Sequence, residues 1–127
     1  MIRPAAPAAS RRRADSEDLS GVLIYEVNLA VDRPISGAFT SWLAVHIRQM
    51  LALPGFEGAR VYRRRPEDEG LVDDGRLHLT VHYTLADRAA LETYLTEHAG
   101  RMRGEIQRRF GGRFAASRRV LEATSIG

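Results

Sequence analysis

Two stretches of this chain alternate apolar and polar side chains strictly enough to dictate their conformation. In Val22 to Val31, the residues Leu23, Tyr25, Val27, Leu29 and Val31 alternate with Ile24, Glu26, Asn28 and Ala30. In Arg76 to Leu85, Leu77, Leu79, Val81, Tyr83 and Leu85 alternate with His78, Thr80, His82 and Thr84. A period of two residues puts each set on one face of a β-strand, so each stretch has one face suited to a core and one unlike it.

Between them, Ile35, Phe39, Trp42, Leu43, Met50 and Leu53 recur at helical spacing until Pro54-Gly55 stops the pattern. Ala59 and Val61 then alternate with Arg60 and Tyr62, predicting a second strand over Phe56 to Arg65, and the acidic Pro66 to Asp74 segment predicts an exposed loop. Asp87 is placed to cap a second helix whose stripe is Leu91, Tyr94, Leu95, Met102, Ile106 and Phe110. Gly111-Gly112 ends it, and Arg113 to Leu121 predicts a fourth strand. The order βαββαβ predicts an α+β, ferredoxin-like domain, a four-stranded antiparallel sheet with two helices on one face. The halves echo each other: Trp42-Leu43-x-x-His46-x-x-x-Met50 matches Tyr94-Leu95-x-x-His98-x-x-x-Met102.

At 127 residues and 44% hydrophobic content the chain fills one core, which we assign to residues 21–127. Residues 1–20 carry Pro4, Pro7 and Arg11-Arg12-Arg13 without apolar periodicity; they are expected to be a disordered tail, with Val22 an alternative start. There is no cysteine, which excludes disulfides, thiolate metal sites and a cysteine nucleophile. No run approaches the roughly 20 apolar residues that span a bilayer, so no membrane partner is predicted and a cytoplasmic location is expected.

The net charge of +3 and pI near 9.9 raise nucleic-acid binding. All 19 basic residues are arginine, however, a bias of GC-rich coding, and nucleic acid is the least expected partner. That reading requires Arg60, Arg63, Arg64, Arg101, Arg108 and Arg119 to converge on one face.

With both helices on one side of the sheet, the other face is left holding Ile24, Glu26, Asn28, His78, Thr80, His82 and Thr84. The first and third strands are neighbours in this fold, so these side chains gather into one polar patch, predicted to meet its copy in a homodimer.

Several segments together resemble a known family: Ile24-Tyr25-Glu26-Val27-Asn28-Leu29, the Trp42 to Leu51 helix, Pro54-Gly55-Phe56, Tyr94 to Arg103, and Arg109-Phe110-Gly111-Gly112-x-Phe114 with Ala116-Ser117-Arg118-Arg119. They are similar to the bacterial domain-of-unknown-function family 4286. The resemblance spans Val22 to about Leu121 and implies a ferredoxin-like fold akin to the dimeric α+β barrels, with no activity or catalytic residues to carry over.

His46 and His98 hold equivalent places on the two helices and are both expected to face the sheet. Helices packed about 8 to 10 Å apart bring such imidazoles together. Beside Tyr25, Trp42, Tyr83 and Tyr94, the pair is a candidate acid and base over a small-molecule pocket, a candidate metal or haem ligand, or two structurally hydrogen-bonded histidines. No third ligand is evident, and no metal or cofactor is predicted. On the other face, His78 and His82 lie about 13 Å apart along one strand and cannot share a metal ion, but Glu26 can oppose one of them as a carboxylate–imidazole dyad in the dimer seam. Arg118 and Arg119 point to opposite faces, and Arg60 and Arg64 share one; either pair can clamp an anion or serve as solvated edge charges. No phosphate loop, nucleophile elbow or two-histidine zinc helix is present.

The leading expectation is a protein that binds or transforms a small molecule between helices and sheet. The alternative is a non-catalytic dimeric assembly or regulatory module, and the size of the interior void separates the two.

Overall fold

The computed structural model describes residues 21–126; the arginine-containing tail lies outside the described residues. Strand β1 (Leu23–Val31) leads through a short 3-10 turn into helix α1 (Ser36–Leu51), then β2 (Phe56–Arg64), β3 (Leu77–Leu85), helices α2 (Arg88–Glu97) and α3 (Ala99–Phe110), and β4 (Phe114–Glu122). The sheet order is β2-β3-β1-β4, with β1 antiparallel to both its neighbours and β2 antiparallel to β3. This is the ferredoxin-like fold that the strand and helix periodicities predict.

The two strictly alternating strands occupy the centre. Tyr25 faces Tyr83, Val27 faces Val81 and Leu29 faces Leu79 across the β1–β3 ladder. Their apolar face is buried under the helices, where Phe39, Leu43 and Met50 from α1, Leu91 and Tyr94 from α2, and Met102, Ile106 and Phe110 from α3 complete the core. Burying a side chain the size of Phe39 or Tyr83 stabilises the fold by about 1.5–3 kcal/mol, so these layers dominate its energetics. The Asp87 carboxylate accepts from the Ala90 amide at 2.9 Å and caps α2. No helix among the described residues is long and apolar enough to cross a membrane.

The expected second helix is two helices, a correction with a clear cause. At 3.6 residues per turn, Leu91 and Tyr94 point roughly a quarter turn away from Ala99, Met102, Ile106 and Phe110, so one straight helix cannot bury both sets. The chain breaks at His98, whose backbone sits at φ −125° and ψ −31°, and both sets reach the core. Leu95, expected in the stripe, is 44% exposed. The echo between the halves therefore ends here: Leu43 is buried where Leu95 is not.

Gly55 opens β2 at φ +84°, and a Cβ built on it would overlap the Cβ of Ala90 in the first turn of α2. Gly75 has φ +78° with open space around it. We therefore expect Gly75→Ala to cost about 1 kcal/mol in urea unfolding, the conformational penalty alone, and Gly55→Ala at least twice as much. Equal losses would show that the β2–α2 contact yields freely.

Candidate functional site

The inner face of the sheet and the helices enclose a cleft. Tyr25 and Tyr83 lie opposite each other on the central strands with ring centroids 6.3 Å apart, and Tyr94 from α2 tilts against Tyr25 at 5.4 Å. One helical turn apart on α1, Trp42 and His46 stack at 4.6 Å with an interplanar angle of 15°. Arg118 reaches the same space from β4, at the register position opposite Val27, and Arg103 reaches it from α3, donating from Nη2 to the Tyr25 hydroxyl at 3.0 Å. Leu43, Met50 and Met102 supply apolar wall.

The enclosed part of the cleft is about 30 Å³. That admits one or two waters, and Arg103 in its lining is exposed. Burial lowers the pKa of His46, the charge of Glu105 opposes that shift, and Arg118 reinforces it, so the imidazole is neutral at pH 7. Its buried Nδ1 has no hydrogen-bond partner. Burial, the neighbouring Tyr25 and a hydrogen bond with it push the Tyr94 hydroxyl up to about 12, against the opposing charges of Arg103 and Arg118. Burial raises Tyr83 further still. The site thus offers a neutral base, protonated phenols and two cations around one void, a set able to accept a proton and hold the oxyanion left behind.

His98 does not join it. It sits at the break between α2 and α3, with Nδ1 3.4 Å from the Arg101 guanidinium, and the two histidines do not form a pair across the cleft. Arg103 was not anticipated as a cleft residue, and Arg118, anticipated as an anion clamp or a solvated edge charge, was not placed in the cleft. The strand parity of Phe114, Ala116 and Arg118 was the signal for the latter.

On the opposite face, Glu26 is only 4% exposed. It accepts hydrogen bonds from Asn28 Nδ2 at 2.8 Å and from Arg119 Nε, and lies 2.8 Å from His82 Nε2; Thr80 Oγ1 donates to Asn28 at 2.6 Å. Glu26, Asn28, Thr80 and His82 therefore form one network, with Tyr62 edge-on to His82. His78 lies outside it, bonded to Asp74 at 2.8 Å. Arg64 pairs with Glu69 at 2.8 Å, so Arg60 and Arg64 do not act as one clamp.

The six arginines that nucleic-acid binding requires are dispersed: Arg60, Arg64 and Arg119 on the outer face, Arg63 at the opposite parity of β2, and Arg101 and Arg108 on α3. Among the described residues, no group of three or more histidine or acidic side chains can hold a metal ion.

The α+β fold is similar to that of SnoaB, a cofactor-independent oxygenase from Streptomyces nogalater; a mutant of that protein superimposes with a TM-score of 0.58 at 15% identity over 82% of this chain and 95% of the other. A Bacillus cereus protein provisionally assigned as an antibiotic biosynthesis monooxygenase matches at TM-score 0.52 and 14% identity over 84% and 96%, respectively. The de novo designed protein Foldit4 matches at 0.52 and 11% over 81% and 99%. At these identities the likeness is one of fold. The chain itself belongs to the family Domain of unknown function (DUF4286), whose sequence profile matches residues 22–124. Comparison with curated proteins finds no match.

Burial alone would raise the Glu26 carboxyl, but hydrogen bonds from Arg119, Asn28 and His82 and the Arg119 charge outweigh it and lower the pKa from 4.5 to about 2. The stabilisation, about 3 kcal/mol by linkage, is fully present above pH 4.5 and lost as pH falls toward 2. Unfolding free energies of wild type and Glu26→Gln should therefore converge over that window. A gap independent of pH would refute the assignment.

Proposed function

We propose that this chain binds a small, flat organic molecule in the cleft between sheet and helices, as a twofold dimer joined through the outer sheet face. One observation carries the reading: the buried Nδ1 of His46 has no hydrogen-bond partner among the described residues, and His46 lines a void walled by three tyrosines and Trp42. Buried polar atoms are nearly always satisfied, and a void with several polar partners is the usual place for water or a ligand to do so. The ligand enters by displacing the exposed Arg103 side chain from Tyr25, since the enclosed space of about 30 Å³ holds no organic molecule unaided. SnoaB supports the reading, as an oxygenase of this fold that works without a cofactor.

The dimer is supported by the outer face. Among the described residues no helix covers it, its central charges are already neutralised within the protomer, and Tyr62 stands 44% exposed beside them. A copy can cover such a face without stranding a charge.

Native mass spectrometry of gently purified protein tests both parts. We expect a dimer carrying one small adduct per protomer, and His46→Phe, which fills the void, should keep the dimer and lose the adduct. Tyr62→Asp should yield monomer. An adduct-free wild-type dimer would overturn the binding reading, and a wild-type monomer the pairing.

A further inference from the structure

Four arginines of the described residues meet acids, and the others, Arg118 apart, are exposed. Arg119 meets Glu26, Arg64 meets Glu69 at 2.8 Å, Arg76 meets Asp32 at 3.2 Å and Arg88 meets Glu122 at 3.5 Å. Arg118 is different. It is half-buried, it occupies the core parity of β4 between Ala116 and Val120, and it makes no hydrogen bond or ion pair with any described residue. A guanidinium held partly out of water without a counter-charge is costly, and a cleft that keeps one is suited to an anion brought from outside.

A second cation converges on the same point. Arg103 lies on the facing wall, and the charges of Arg103 and Arg118 both act on the Tyr94 hydroxyl. Among the described residues Arg103 is held only by the Tyr25 hydroxyl. Glu105 is close enough for its charge to act on His46, yet forms no ion pair with either arginine. The lining of the cleft therefore combines two guanidinium groups and the Tyr94 phenol with the apolar surfaces of Trp42, Leu43 and Met50.

We infer that the ligand of this cleft is a planar aromatic carboxylate, its carboxylate held between Arg103 and Arg118 with Tyr94 donating, and its ring lying against Trp42. The inference rests on the cleft being the ligand site, and names the chemical class that site selects. Guanidinium forks suit carboxylates because two parallel N–H groups match two oxygens. A neutral ligand of the same shape would leave Arg118 as uncompensated as it is now.

Trp42 is the protein's sole tryptophan and lines the cleft, so its emission reports occupancy directly. The probes are trans-cinnamate and its neutral isostere cinnamamide, titrated against wild type and Arg118→Gln. Wild type should bind cinnamate at least about tenfold more tightly than cinnamamide, the worth of a charge-assisted over a neutral hydrogen bond. Arg118→Gln should erase that preference and leave cinnamamide binding unchanged. Equal binding of both compounds by wild type would overturn the carboxylate assignment while leaving the cleft as a binding site. No change in Trp42 emission with either would overturn the cleft reading and the assignment with it. A measurement free of ligand closes the case: Arg118→Met should melt higher than wild type, because an uncompensated charge has been removed. A lower melting temperature would make Arg118 a structural residue and overturn the proposal.

Discussion

The register between β1 and β3 is the constraint on which everything else hangs. Tyr25 opposite Tyr83 places two phenols under the helices, and Glu26 opposite His82 places a carboxylate beside an imidazole on the other side. A slip of one residue would send the tyrosines outward and bury the carboxylate among leucines, so neither site survives any other pairing. The hydrophobic layer enforces the register, because only one parity of each strand can sit beneath Phe39, Leu43 and Ile106. Site geometry here is a by-product of core packing.

Much of this was legible in the sequence. Alternation identified both central strands and their sidedness, and with sidedness came the Glu26, Asn28, Thr80 and His82 cluster. The Pro54-Gly55 break and the Asp87 cap bounded the helices. What escaped was where helical phase resets. The echo between Trp42-x-x-x-His46 and Tyr94-x-x-x-His98 holds as a string of letters, yet the backbone break at His98 removes that residue from the cleft. Periodicity tells which residues share a face only while a helix continues, and the 3.6-residue repeat carries no mark of a quarter-turn correction. Arg118 was legible by parity, but on a strand at the sheet edge a charge is more simply explained by solvent.

The two faces solve the problem of a buried charge in different ways. Glu26 is enclosed by partners that belong to the chain, and its ionised form is thereby held firmly. The inner cleft keeps its polar atoms short of partners, at His46 Nδ1 and at Arg118. A network completed internally is suited to rigid surface and specific contact, whereas one left incomplete is suited to exchange with something that arrives and leaves.

Arg118 and Arg119 share a peptide bond and nothing else. One points into the cleft and the other closes on Glu26, so neighbouring codons answer to unrelated demands. On the proposed reading, drift at the first is filtered by the ligand of the cleft, and drift at the second by a carboxylate encoded some ninety positions upstream. Homologous chains that change what they accept in the cleft are therefore free to vary the first arginine while the second stays fixed.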